Sequence, residues 1–137
     1  MLHRDWGRIL FISSECATLV PEDLIAYSTT KAALLSLSRG ISQLTSGSGV
    51  TVNTIVPGST LTKGAEEFLA TVAAKENKTK AAVSKAFFND ARKSSLLQRF
   101  AEVKEIADTI TYFSSPLSSA TNGAVIKVDG GSMGGIL

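Results

Sequence analysis

Tyr27 and Lys31 stand four residues apart in a stretch of helical pattern. That spacing sets both side chains on one helix face, a turn apart. An ammonium beside a phenol favours the phenolate and lowers a tyrosine's pKa. Such a tyrosine can exchange a proton with a carbonyl/alcohol pair near neutral pH. Ser14 stands 13 residues before Tyr27, at the end of an apolar strand pattern. In parallel sheets, ligands bind at the carboxyl ends of strands. Ser14, Pro57-Gly58 and Asp129-Gly130 all fall at such ends, so the candidates converge on one rim. Cys16 lies close by, but no histidine is at hand to activate it, and it reads as a free, inert thiol. Asn53 reads as a partner for backbone groups near a turn. His3 reads as a surface residue, and Trp6 as a plug under the sheet or at its edge.

The elements that position these residues follow from the pattern of apolar side chains. Gly7-Arg8-Ile9-Leu10-Phe11-Ile12-Ser13-Ser14 reads as a strand buried on both faces. A helix is expected from about Ala26 to Leu44, with Leu34, Leu37, Ile41 and Leu44 as the stripe facing the core. Gly40 in its middle should cost about 1 kcal/mol relative to Ala, which close helix packing would explain without the sequence showing it. Ser46-Gly47-Ser48-Gly49 stops the helix. A second strand spans Val50 to Val56 and ends at Pro57-Gly58. A long helical region is expected from about Gly64 to Ser94, with Ala65, Phe68, Leu69, Val72 and Ala73 forming its stripe. Another helix runs from about Ala101 to Ser114, carrying Val103, Ile106, Ala107, Ile110 and Phe113 on one side. Gly123 to Val128 makes a third strand, ended by Asp129-Gly130-Gly131. Helical crossovers between Val/Ile-rich strands argue for a parallel α/β sheet with right-handed connections. The first strand would need a neighbour on its free edge.

Composition narrows the classes. The 137 residues suit one domain, with 44% hydrophobic and 19% charged. One Cys excludes an internal disulfide framework, and one His argues against a histidine metal cluster. No apolar run approaches a membrane span, and no secretory signal opens the chain, so a cytoplasmic setting is the default. The net charge of +2 does not suggest nucleic-acid binding. Eight bases and three acids between Lys75 and Lys104 read as a solvated face. The sharper alternative for that face is docking of a phosphate-bearing acyl-carrier protein or coenzyme A.

Three segments carry a resemblance. They are Ile12-Ser13-Ser14, Tyr27-Ser28-Thr29-Thr30-Lys31-Ala32-Ala33-Leu34 and Val52-Asn53-Thr54-Ile55-Val56-Pro57-Gly58. Together they resemble the short-chain dehydrogenase/reductase family. The end of the chain, Thr121 to Gly131, is similar to the 3-oxoacyl-carrier-protein-reductase-like branch. The resemblance implies a partial Rossmann-like, doubly wound parallel sheet of about three strands in a single domain over 1–137. It implies an NAD- or NADP-dependent oxidoreductase moving a hydride between nicotinamide and a small alcohol or ketone. Tyr27 would be the general acid/base. Ser14 would polarise the substrate carbonyl, and Lys31 would bind the nicotinamide ribose. Tyr27, Lys31, Pro57, Gly58, Thr60 and Thr62 would hold the cofactor, and residues 62–97 would form the substrate lid.

The chain also departs from the family. The Gly-rich phosphate loop, the Asn-Ala-Gly segment and the tetrad Asn have no counterpart, so the chain reads as a C-terminal portion. Weak or no dinucleotide affinity is expected without a helix N-terminus to hold the phosphates. The alternative is a non-catalytic remnant or interaction module. It would pair with copies of itself or with a separate N-terminal half.

Overall fold

The structure, a computed structural model, describes residues 1–135. Its centre is β2 (Val50–Pro57), a run of Val, Thr and Ile buried along its length up to Pro57. Both faces of this strand are covered, which fits its β-branched Val, Ile and Thr residues. β1 (Gly7–Ile12) pairs with it in parallel, from Gly7 opposite Val50 to Ile12 opposite Ile55. β3 (Val125–Val128) pairs in parallel on its other side, from Thr54 opposite Val125 to Pro57 opposite Val128. The order is β1-β2-β3, so the expected parallel α/β sheet is present and β1 is an edge strand. β1 is mostly half-buried rather than covered on both faces, with Ile12 exposed at its end.

Two asparagines stitch β3 to the centre. Asn53 Nδ2 donates to the Thr121 carbonyl at 2.8 Å, and its Oδ1 accepts from Ala124 N at 3.0 Å. Asn122 Oδ1 accepts from Val52 N at 2.8 Å. Asn53 therefore satisfies backbone groups at a turn, as its position suggests. The expected start of the last strand at Gly123 moves to Val125, because Gly123 takes a left-handed turn conformation.

A short helix, α1 (Cys16–Leu19), leads to α2 (Ile25–Gln43), which lies over β1 and β2. The inward face of α2 is a correction to the sequence reading. Leu37 is 51% exposed and Leu44 75%, whereas Ser28, Ser38 and Ser42 are at most 5% exposed. Small side chains let the helix settle close to the sheet. Ser42 Oγ donates to the Arg39 carbonyl at 2.7 Å, so this hydroxyl is buried with a partner. Gly40 faces open space, with no atom within 4 Å of the place its Cβ would take, so no close packing explains it.

The long helical region divides in two: α3 (Lys63–Glu76) and α4 (Lys80–Asp90). Asn77 breaks it with φ of 52°. Thr62 and Thr79 cap the two helices by accepting from Ala65 N and Ala82 N. Leu69, Ala73 and Val83 form their own cluster, flanked by Leu61, Val72 and Phe100. Phe68 of the expected stripe is exposed instead. α5 (Val103–Ser114) begins at a capping box, Glu102 with Glu105, and packs on β1. Ile106 is its buried residue, while Val103 and Ala107 are exposed. Ala101 is not helical but bridges to Thr60. Trp6 is half-exposed before β1, with the Arg8 guanidinium 5.4 Å over its ring, so it plugs nothing. His3 is exposed. Among the described residues, no helix is long and apolar enough to cross a membrane, and no group of three or more His, Cys, Asp or Glu could hold a metal.

Candidate active site

The parallel ladder continues past the end of β1. Ser13 N donates to the Ile55 carbonyl and Glu15 N to the Pro57 carbonyl, both at 2.9 Å. Ser14 lies between these two anchors. Its Oγ accepts from Cys16 N at 3.2 Å, which turns the chain into α1. The first turns of α2 are fastened to the same end of β1. Ser13 Oγ donates to the Lys31 carbonyl at 2.8 Å, and Lys31 Nζ donates to the Ile12 carbonyl at 3.1 Å. The Lys31 ammonium lies 5.6 Å from the centre of the Tyr27 ring. Tyr27 is exposed, and its hydroxyl has no hydrogen-bond partner among the described residues. The structure thus gathers Tyr27 and Lys31 at the strand end from which Ser14 follows.

The second group sits at the end of β2. Gly58 N donates to the Val128 carbonyl at 3.1 Å. A Cβ on Gly58 would lie 2.6 Å from Asp129 Cα and 2.8 Å from Glu15 Oε2, so only glycine allows these strand ends to approach. Thr60 Oγ1 donates to the Gly58 carbonyl at 2.9 Å. Pro57, Thr60 and Thr62 line an open cleft of about 260 Å³, whose other wall is Val103, Ile106, Ala107 and Ile110 of α5. Ser14, Tyr27 and Lys31 do not line this cleft. The two groups are joined through the rim by the Glu15–Pro57 bond. Asp129 is spent on the turn after β3, where its carboxylate accepts from Gly131 N and Met133 N.

Two residues escaped the sequence reading. Glu15 is 2% exposed, and its Oε1 accepts from Arg92 Nε at 2.7 Å and from Ser59 Oγ at 3.0 Å. Arg92 falls in the stretch expected to be a solvated face, yet its side chain is only 12% exposed. A glutamate directly after Ser14 in a run of small and apolar residues was the available signal. Cys16 is free and buried, with Sγ 3.8 Å from Arg92 Nη2.

A family model described as enoyl-(acyl carrier protein) reductase matches residues 1–133. The chain belongs to the short-chain dehydrogenase/reductase family. It is 44% identical over 131 residues to the uncharacterized oxidoreductase YvaG of Bacillus subtilis, covering 96% of this chain and 50% of that protein. It is 30% identical to the 3-oxoacyl-[acyl-carrier-protein] reductase FabG of Aquifex aeolicus, over 96% of this chain and 47% of FabG. The fold matches the L-sorbose reductase of Gluconobacter frateurii, solved with NADPH and L-sorbose, at a TM-score of 0.89. That match has 24% identity and covers 99% of this chain and 51% of that one. It also matches YwfH, an NADPH-dependent reductase involved in bacilysin biosynthesis, at a TM-score of 0.81 with 25% identity, over 98% of this chain and 50% of that one. The chain spans about half the length of these relatives. Its three-stranded parallel sheet is thus a portion of a family fold with the α2 crossover intact.

Proposed function

We propose that this chain carries the acid–base side of an NAD(P)-dependent oxidoreductase that interconverts an alcohol and a ketone. The observation that carries this reading is the attachment of Lys31 to the end of β1, with its ammonium beside the Tyr27 ring and Ser14 following the same strand. Tyr27 offers an unpartnered hydroxyl on the exposed side, where it gives its proton to the carbonyl oxygen in reduction and takes one back in oxidation. Ser14 hydrogen-bonds the same oxygen. Lys31 holds positive charge at that spot and also reaches a ribose hydroxyl. Pro57, Gly58, Thr60 and Thr62 hold the nicotinamide side. The fit rests on the cleft beside Pro57, walled by apolar side chains and edged by Thr60 and Thr62. A bound nicotinamide supplies or accepts the hydride at the substrate carbon. Residues 62–97, comprising α3 and α4, act as the lid that shapes the substrate pocket. FabG's similarity supports the 3-oxoacyl branch as substrate class.

A second reading draws on the open edge of β1: a non-catalytic module that pairs this strand with another chain. Cofactor binding separates the two. Thermal unfolding is followed with and without saturating NADH or NADPH. A site filled at about 100 times its Kd stabilises the folded chain by about 2.7 kcal/mol. The catalytic reading expects that shift and expects Tyr27→Phe to keep it while losing turnover. A cooperatively folded chain with no shift favours the module. Undiminished turnover in Tyr27→Phe removes Tyr27 from the chemistry.

A further inference from the structure

We propose that Glu15 is a positioning residue whose buried ion pair with Arg92 latches the end of the lid onto the loop carrying Ser14. The role of Ser14 rests on the function proposed above, whereas the latch itself rests on geometry alone. Glu15 is fixed at its backbone by the bond to Pro57 and at its side chain by Ser59 and Arg92. One carboxylate therefore joins three segments: the turn after β1, the turn after β2 and the return from α4. Arg92 is itself tied to α4, since its N donates to the Phe87 carbonyl at 3.1 Å and its guanidinium lies 5.6 Å from the Phe87 ring.

The surroundings make this tie consequential. The lid has a small core of its own in Leu69, Ala73 and Val83. Its return to the sheet depends on separate contacts. Leu96 N and Leu97 N donate to the Gly130 carbonyl, and Ser94 Oγ donates to the Ser132 carbonyl. These contacts grip the turn after β3. The Arg92–Glu15 pair grips the turn that holds Ser14. Removing one partner of a largely buried pair leaves the other charge uncompensated. Arg92 stands at the lid's margin and can relieve that cost by turning to solvent. Lifting α4 is the expected response, and Ser14 loses its fixed relation to the substrate wall.

Cys16 supplies a reporter. Its thiol is buried, with Arg92 Nη2 3.8 Å from Sγ, so opening at this point bares it. The test measures the rate at which Cys16 in the full chain reacts with an aromatic disulfide reagent. It is run on the wild type, Glu15→Gln, Arg92→Gln, Arg92→Lys and the Glu15→Gln/Arg92→Gln double variant. Hydrogen exchange is followed in parallel. The latch predicts that each Gln variant raises the thiol rate by roughly tenfold or more, as loss of a buried pair partner should. α4 amides lose protection and β2 amides keep theirs. The double variant, which leaves neither charge uncompensated, reacts no faster than the more reactive single variant. Arg92→Lys, which keeps a charge near the carboxylate, falls between wild type and Arg92→Gln. Unchanged thiol rates overturn the proposal. So does equal loss of protection in α4 and β2, which would make the pair a prop of the whole fold. Effects that multiply in the double variant overturn it too. If Glu15→Gln does not fold, the two Arg92 variants decide the matter alone. No step needs turnover, so failure of the latch and failure of the redox reading give different results.

Discussion

Replacing Asn53 by Ala tests how the last strand is held. The side chain is fully buried in β2. It supplies a donor to the Thr121 carbonyl at 2.8 Å and an acceptor to Ala124 N at 3.0 Å. Alanine offers neither, so one carbonyl and one N–H are orphaned just where the chain enters β3. Each unsatisfied buried group costs about 1–3 kcal/mol, which puts the pair at about 4 kcal/mol. That is a large share of the roughly 5–15 kcal/mol by which domains are stable. The assay is urea unfolding. With a slope of about 2 kcal/mol per molar urea, the midpoint falls by about 2 M. Asn53→Asp provides a control. It keeps the acceptor for Ala124 N but sets a carboxylate against the Thr121 carbonyl, so it is destabilised at neutral pH. It recovers as acid protonates the new carboxyl into a donor. A midpoint shift for Asn53→Ala below about 0.3 M at unchanged slope refutes the reasoning, because two orphaned groups cannot cost so little.

Other outcomes follow from single residues. The Arg99 guanidinium, hydrogen-bonded to Glu105, and then the Glu102 N–H hold the Glu105 carboxyl down from 4.5 to about 2. A depressed carboxyl stabilises the fold fully above pH 4.5 and loses that contribution as pH falls through about 2. Melting temperature against pH should therefore fall less steeply across that window in Glu105→Gln than in wild type, and parallel curves would contradict the assignment. Gly40→Ala adds a methyl in open space on an exposed helical position and should raise stability by about 1 kcal/mol. A lowered melting temperature would contradict that open placement.

Local patterns were legible, and long-range choices were not. β2 announced itself because it is rich in Val and Ile, as a strand covered on both faces is, and ends at Pro57-Gly58. The Tyr27–Lys31 pair could be placed because helical spacing alone puts two such residues on one face. The inward face of α2 was misjudged because counting leucines presumes that burial follows hydropathy. Serines are small enough to bring the helix close to the sheet, and Ser42 bonds the Arg39 carbonyl, although the Ser28 hydroxyl is buried without a hydrogen-bond partner among the described residues. The break at Asn77 depends on a non-glycine residue entering a left-handed conformation, which a polar stretch only hints at. Glu15 and Arg92 meet across 77 residues of chain, and no periodicity connects them.

The sheet order also bears on how this protein could diversify. Ser14, Tyr27 and Lys31 all belong to the single crossover from β1 through α2 to β2, which is complete by Pro57. The segment from Thr62 to Ala124 leaves the finished crossover, packs α5 on β1 and bridges Thr60 at Ala101, and then returns to add β3 at the far side. Such an excursion can be lengthened at modest entropic cost, since closure cost grows only with the logarithm of loop length. Under the function proposed above, new substrate walls can therefore be tried without disturbing Tyr27 and Lys31. Under that proposal, a graft that replaced residues between α3 and α5, sparing Arg92 and the Thr60–Ala101 bridge, is expected to change substrate preference while leaving the Tyr27–Lys31 arrangement as it is.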